Sequence, residues 1–423
     1  MERTVVGLVL AKIETAYGTD AIPVGAANVI AVTKNSVKWD PKYTHVARQV
    51  LDGSIGPVQG LNAMPVDGFS FKTEVRGNRT NGVTADISAG GSAATIEIDP
   101  LLQACDLAPA YTAESPPGAR NGNVVYSPTV PADQGKSVTF YFYTGLKLHR
   151  VVGCKGTFKV NFTAGKMGEI DWTFTGKYAG AVDSPLPAAG SSVQLVAVGA
   201  AGSGYAVGDV LTIAGGTLAA GGSAATARVT CVDGNGAILG IYVQQAGLYS
   251  AAPVTAANAA TGGTGTGATL NLTLWTQSAP VWLNTLPPLF QNSGSTIDSF
   301  SPVFTKLDFD LGLKVEKRED GNSVDGIAGF VVTDRKPKVT IDPESVAEGT
   351  SPIFGDLYNS QKRTITGNIG ALSGNQCQLK LVAMSEAVTY GDRSGIRTGQ
   401  ISYSVERQNL GDIPGSEIRL KFY

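Results

Sequence analysis

Catalysis and metal binding need particular side chains at workable spacings, and this sequence offers few. It has two histidines, His45 and His149, separated by far more than the short spacing of paired zinc ligands, so a histidine-based metal site lacks its parts. The four cysteines, Cys105, Cys154, Cys231 and Cys377, are scattered and form no Cys-x-x-Cys pair; they read as small buried hydrophobes. Gln134-Gly135-Lys136-Ser137 ends like a phosphate-binding loop, but position 130 is Val130 where a glycine is needed. The β-branched and aromatic run Val138 to Tyr143 follows in place of a helix. Gly262 to Gly267 alternates glycine and threonine ahead of a strand-like run, outside any βαβ unit, and reads as a turn. Glu319 to Asn322 and Asp233 to Gly236 lack the alternating oxygens of a calcium loop and read as hairpin turns. Asp308 and Asp310 lie on the polar side of an alternating strand, and no Gly-x-Ser-x-Gly elbow occurs. No catalytic, cofactor-binding or metal residue is assigned, and the chain is not expected to be an enzyme.

The elements around these residues carry the information instead. Lys and Arg total 33 against 35 Asp and Glu, a net charge of -2, which lacks the basic footprint of a specific DNA-binding protein. Glycine is in excess at 53 of 423 residues without a collagen period, set between runs of Val, Ile, Thr, Phe and Tyr, as in strands joined by tight turns. Met1 to Glu14 has only a short apolar stretch, Val5 to Ala11, so no signal peptide is expected, and no run is long enough for a transmembrane helix. Period-two alternation marks half-buried antiparallel strands at Phe69 to Val75, Phe158 to Phe162, Leu307 to Val315, Ile401 to Val405 and Ile418 to Phe422.

Charge density divides the chain. Gly190 to Trp275 holds three charged residues, Asp209, Arg228 and Asp233. It contains two internal echoes, Gly204-Tyr205 with Leu248-Tyr249 and Ala225-Thr226-Ala227 with Ala268-Thr269-Leu270, which suggest a tandem β duplication. The flanking host segments echo each other too. Ile96-Glu97-Ile98-Asp99-Pro100 is read as a strand end before a short helix, Leu101 to Cys105, and then strands at Val138 to Tyr143, Thr157 to Phe162 and Ile170 to Thr175. Val339-Thr340-Ile341-Asp342-Pro343 precedes a helix at Ile353 to Tyr358 and strands at Thr364 to Ile369, Gln378 to Val382 and Gln400 to Glu406. The expected fold is all-β with one or two short helices: an antiparallel β-sandwich or barrel domain, duplicated over 1–185 and 281–423, with a small outward-facing β module inserted at 186–280.

The opening phrase, Leu10-Ala-Lys-Ile-Glu-Thr-Ala-Tyr-Gly-Thr-Asp-Ala-Ile-Pro23, resembles the N-terminus of tail tube (major tail) proteins of long-tailed bacteriophages. Lys38 to Gly60 with Arg48 and Gly53, Asp99 to Cys105, and Gly156 to Lys166 leading into Ile170 to Gly176 extend the resemblance. Gly202 to Ile213 and Gly247 to Pro253 resemble repeat modules of phage structural proteins. The resemblance implies sandwich protomers whose hairpins close into a barrel, with rings stacking into a passive conduit for DNA. It implies self-association as a trimer of duplicated domains or a hexamer, contacts with tape measure, terminator and distal tail proteins, and no cofactor or membrane. The expected location is the virion tail, after assembly in the bacterial cytoplasm. The alternative is a virion adhesin or fibre-like module binding a receptor or glycan. Lys38 to Met64 is expected to be a long loop that becomes ordered between stacked rings.

Overall fold

The computed structural model describes residues 7–50, 56, 58–77, 96–112, 122–129, 135–184, 186–283, 285–372, 374–409 and 415–423. The chain is all-β with three short helices among these residues, Gly25–Asn28, Asp99–Ala104 and Ile353–Asn359. Among the described residues every strand pairing is antiparallel except the contact of Gln245 with Asp183. That agrees with the alternating pattern of the host segments, because one face of each sheet meets the core and the other meets water.

The host strands follow one plan twice. In the first half the spatial order is Lys38–Arg48, Val58–Glu74, Glu169–Asp183, Lys147–Thr163, Val138–Tyr143. In the second it is Lys306–Asp310, Lys338–Ile341, Ile396–Val405, Cys377–Arg393, Lys362–Ile369. Chain order matches as well, with a helix after the second strand of each set. Register makes the match residue by residue: Trp39 opposite Phe69 opposite Phe174 corresponds to Phe309 opposite Val339 opposite Tyr403. One step along, Phe71, Trp172 and Phe158 correspond to Ile341, Ile401 and Val388.

The halves are joined strand to strand. The outer edge of residues 159–163 pairs with Lys306–Asp310, setting Val160 opposite Phe309 and Phe162 opposite Leu307. All four side chains are at most 1% exposed, so each contributes the roughly 1.5–3 kcal/mol of a fully buried apolar side chain. The final strand, Ile418–Phe422, crosses back to pair with Asn123–Pro128 of the first half. One continuous cluster of buried residues therefore includes Phe71, Phe158 and Phe174 together with Phe309, Leu379 and Ile401.

Between the halves, 190–277 forms an intertwined pair of repeats. The first strand of each repeat pairs with the last strand of the other: Gly190–Ser203 with Thr266–Gln277, and Ile238–Gln245 with Thr226–Val232. The two echoed tyrosines play reciprocal parts. Tyr249 Oη accepts the Ala225 N–H at 2.7 Å, and Tyr205 Oη accepts the Ala268 N–H at 3.4 Å, so each tyrosine satisfies a backbone donor in the opposite repeat. The region has its own apolar clusters, yet it is not freestanding. Trp275 packs on Tyr141 with ring centroids 5.4 Å apart, in a cluster with Leu8, Leu10, Val29, Tyr143 and Leu148.

Several expectations need correction. Ile96 to Ile98 is not a strand; the helix begins at Asp99 with Pro100 in its first turn, where the missing N–H costs nothing. Asp342, by contrast, follows the end of a strand, so the Ile-Asp-Pro echo joins non-equivalent positions and the repeat lies in strand order instead. The alternating run Leu307 to Val315 is broken at 311–312, where Gly312 adopts a positive φ. Lys38 to Met64 is not a long loop. Its ends form a two-stranded hairpin from Lys38–Arg48 and Val58–Glu74, and His45 stands on a strand. Cys105, Cys154 and Cys377 are buried as expected, whereas Cys231 is exposed.

Candidate assembly interface

Eight strands run side by side through both halves, from Lys38–Arg48 at one edge to Cys377–Arg393 at the other. Among the described strands, none pairs with the outer edge of Lys38–Arg48 or with the outer edge of residues 386–393. Unpaired edges template strand addition. Parts of these two edges are the counterparts of the edges already joined within the chain: in the register given above, 306–310 corresponds to 36–40 and 159–163 to 389–393.

Side chains near the two edges are exposed where their internal counterparts are buried. Val160 is 0% exposed, and its counterpart Tyr390 is 54% exposed. Tyr390 lies 5.8 Å from the Phe354 ring, beneath Arg397; Tyr358 of the same helix and Ile396 of the paired strand are exposed as well. On the opposite edge Val37 is 39% exposed and Tyr43 is 50% exposed. Trp39 is packed inward against His149 and Tyr178. The helix Ile353–Asn359 has no buried residue, whereas its counterpart Asp99–Ala104 buries Leu101 and Leu102 completely.

The polar face of the eight-stranded sheet is crossed by ion pairs. Lys72 meets Asp171 at 3.0 Å and Glu169 at 3.5 Å, Lys159 meets Asp310 at 2.8 Å, and Lys338 meets Glu386 at 3.0 Å. Lys306 meets Asp308 in the same row. The Asp171 hydrogen bond raises the Lys72 pKa, and the Asp310 hydrogen bond raises that of Lys159. Each of these four lysines is committed to a carboxylate, and the face presents alternating, locally balanced charge.

Glu14 and Tyr17, residues of the distinctive opening phrase, organise the junction behind this sheet. Buried Glu14 accepts hydrogen bonds from the Gly18 and Gly153 N–H groups, each at 2.7 Å, and from the hydroxyls of Ser137 at 2.6 Å and Thr139 at 2.9 Å. Tyr17 Oη donates to Gly153 O at 3.1 Å and accepts the Phe330 N–H, linking the first half to the Leu313–Arg335 hairpin of the second. Glycine is required on both sides of the ring. A Cβ on Gly153, at φ +65°, would come within 3.1 Å of the tyrosine hydroxyl, and one on Gly329 within 2.4 Å of its ring. Tyr141 Oη donates to Asp20 at 2.7 Å, and Gln194 Nε2 of the inserted region donates to the same carboxylate at 3.4 Å. The Glu-Thr-x-Tyr-Gly-Thr-Asp spacing was the available signal for this joint; its partners, distant in sequence, carried none.

The other residues weighed for chemistry do not converge. His45 and His149 lie on different strands, Gly262 to Gly265 turns between Asn258–Thr261 and Thr266–Gln277, and Asp233 and Asp320 cap hairpin turns. Among the described residues, no group of three His, Cys, Asp or Glu side chains is placed to hold a metal ion. No protein-family model matches the chain, and no curated protein matches it.

Proposed function

We propose that this chain is a structural subunit that associates head to tail through its two open sheet edges into closed rings, which stack into a tube of the phage tail type and conduct DNA passively. The observation that carries this reading is the internal joint: one half already pairs with the next through 159–163 and Lys306–Asp310, and no described strand pairs with the corresponding surfaces at the two ends of the sheet. Applied again between copies, the joint sets Tyr390 opposite Trp39 of the next copy and Gly391 opposite its Lys38. A heterologous contact of this kind builds a ring when its rotation closes.

Three copies would give a barrel of about 24 strands, above the roughly 16 at which closed barrels leave an aqueous channel. The polar face would line that channel. Because its lysines are already neutralised, duplex DNA gains little counterion-release drive on contact, which suits sliding better than grip. In this reading the subunit partners itself and neighbouring tail components, and its place is the virion tail after assembly in a bacterial cytoplasm.

Negative-stain microscopy and mass photometry of the purified chain test the proposal. Rings of uniform copy number, growing into tubes at high concentration, are expected. A monomer at every concentration, or compact trimers that never close around a channel, would overturn it. Strongly salt-dependent binding of the subunit to duplex DNA would remove the passive-conduit part.

A further inference from the structure

We infer that the hairpin arm beyond the first-half sheet, formed by residues 43–48 and 58–65, is a fastener within one ring: it lies across the second half of the neighbouring copy rather than between stacked rings. This rests on the head-to-tail reading above and specifies which surface of the second copy the arm engages.

The argument starts from the arm's counterpart. The same displacement in sequence relates Trp39 to Phe309 and Phe69 to Val339, so the two arms contain equal numbers of residues between these pairs. Both edge strands also lose regular pairing at nearby places: the register shifts between Lys42 and Thr44 in one, and the strand breaks at 311–312 in the other. In the second half, the Leu313–Arg335 hairpin leaves its sheet at this break and folds back across the first half. Leu313 N donates to Thr157 Oγ1 at 3.2 Å, Phe330 N donates to Tyr17 Oη, Asp325 pairs with Lys177, and Lys317 Nζ reaches Met64 Sδ at 3.4 Å. Leu313 is 7% exposed as a result.

The first-half arm touches the second-half hairpin at Met64, but among the described residues its outer apolar side chains stay exposed. Tyr43, the counterpart of Leu313, is 50% exposed, and Val46 and Leu61 are 50% and 64% exposed. A two-stranded ribbon that leaves side chains such as Tyr43, Val46 and Leu61 in water is marginal by itself and gains stability against another surface. If the interface between copies repeats the joint within the chain, the surface that receives the arm is the neighbour's second half. There Ala387 takes the place of Thr157, and Asp334 takes the place of Met64. A second copy is thus the occupant that the internal precedent specifies, and the apolar patch around Tyr390 and Phe354 lies at the base of that bed.

Disulfide trapping tests the placement. In a Cys231→Ser background, Tyr43→Cys with Ala387→Cys, and separately Ala47→Cys with Asp334→Cys, should cross-link neighbouring copies. Oxidation of isolated single rings should then give a covalent ladder ending at the ring's copy number on non-reducing gels. Rings that form without this ladder, or cross-links that appear only in stacked tubes, would overturn the lateral placement while leaving ring assembly intact. Absence of rings for the wild-type chain would instead refute the assembly reading itself. A second variant replaces 44–62 by an Asn-Gly turn. It should remain a folded monomer by circular dichroism and fail to close rings at tenfold the wild-type assembly concentration; normal single rings that cannot stack would refute the inference.

Discussion

Replacing Tyr390 by serine should weaken ring closure far more than its position at a sheet edge would suggest. The side chain is 54% exposed in the subunit, and its internal counterpart Val160 is fully buried by strand pairing. Roughly half of a tyrosine's surface, on the order of 100 Å², is therefore left for the neighbour to cover. At about 25 cal/mol per Å² this amounts to ~2.5 kcal/mol per interface. Each 1.4 kcal/mol is a factor of about ten, so the dissociation constant of each contact should rise by roughly 60-fold. The part packed against Phe354 is lost as well, which lowers subunit stability, so assembly is read well below the variant's unfolding temperature. Mass photometry over a dilution series gives the midpoint of ring dissociation. Val254→Ser, at a 69% exposed site in the inserted region, is the control and should leave the midpoint unchanged. Equal midpoints for Tyr390→Ser and wild type, or an equal loss in the control, would refute the reasoning.

Three further outcomes follow from the same geometry. Gly329→Ala forces a Cβ into the Tyr17 ring, so amide exchange at Phe330 should quicken by at least tenfold, and Tyr17→Ala should do the same at a cost of about 1–2 kcal/mol in overall stability; unchanged exchange in both would remove Tyr17 as the link between halves. Deleting Gly190–Trp275 uncovers Leu8, Leu10, Tyr141 and Tyr143, so the shortened chain should melt several degrees lower yet still form rings; a folded deletion protein that forms none would assign the inserted region to the interface. Burial raises the pKa of Asp99, whose carboxylate accepts hydrogen bonds from Tyr126 and Gln103, so its contribution to stability is fully present below about pH 4 and is lost as pH rises through the raised folded-state value. Thermal melts should accordingly show Asp99→Asn gaining on wild type from pH 4 to pH 7, and a gap that moves the other way would contradict the sign.

Much of the fold was legible because its strands alternate. Phe158, Val160 and Phe162 face the core while Lys159, Asn161 and Thr163 face water, and that period survives any uncertainty about partners. The tandem repeat in 190–277 was legible for a different reason. Its paired tyrosines sit where each satisfies the other repeat's backbone, so the residue type had to persist in both copies. The duplication of the host halves was legible only in outline. The Ile-Asp-Pro echo suggested it at positions that do not correspond, while the true counterparts, Trp39 with Phe309 and Val160 with Tyr390, share no residue identity. Core positions require apolar volume and tolerate many side chains that supply it, so register survives where sequence does not. The arm was misread as a loop because its strands have no buried face in the subunit, and without a buried face there is no alternation to read.

The difference between the two halves is itself an argument for assembly. If each half were a self-sufficient domain, both outer edges would be expected to carry the usual protections: short strands, buried charge, or a covering segment. The internal edge at 159–163 has such a cover in Lys306–Asp310, and the turn that follows it is capped by hydrogen bonds between Gly165 N and Phe290 O and between Phe290 N and Lys166 O. At the matching place in the second half the hairpin of Cys377–Arg393 and Ile396–Val405 ends in Tyr390 and Ile396, both about half exposed, beside a helix with no fully buried residue. An edge exposed in this way would pair indiscriminately if it were flat and long. Here it is short and flanked by the helix, and it corresponds in register to a joint that already has a partner within the chain. In the proposed assembly, specificity comes from the geometry of that register, with the first-half edge of another copy as the matching surface.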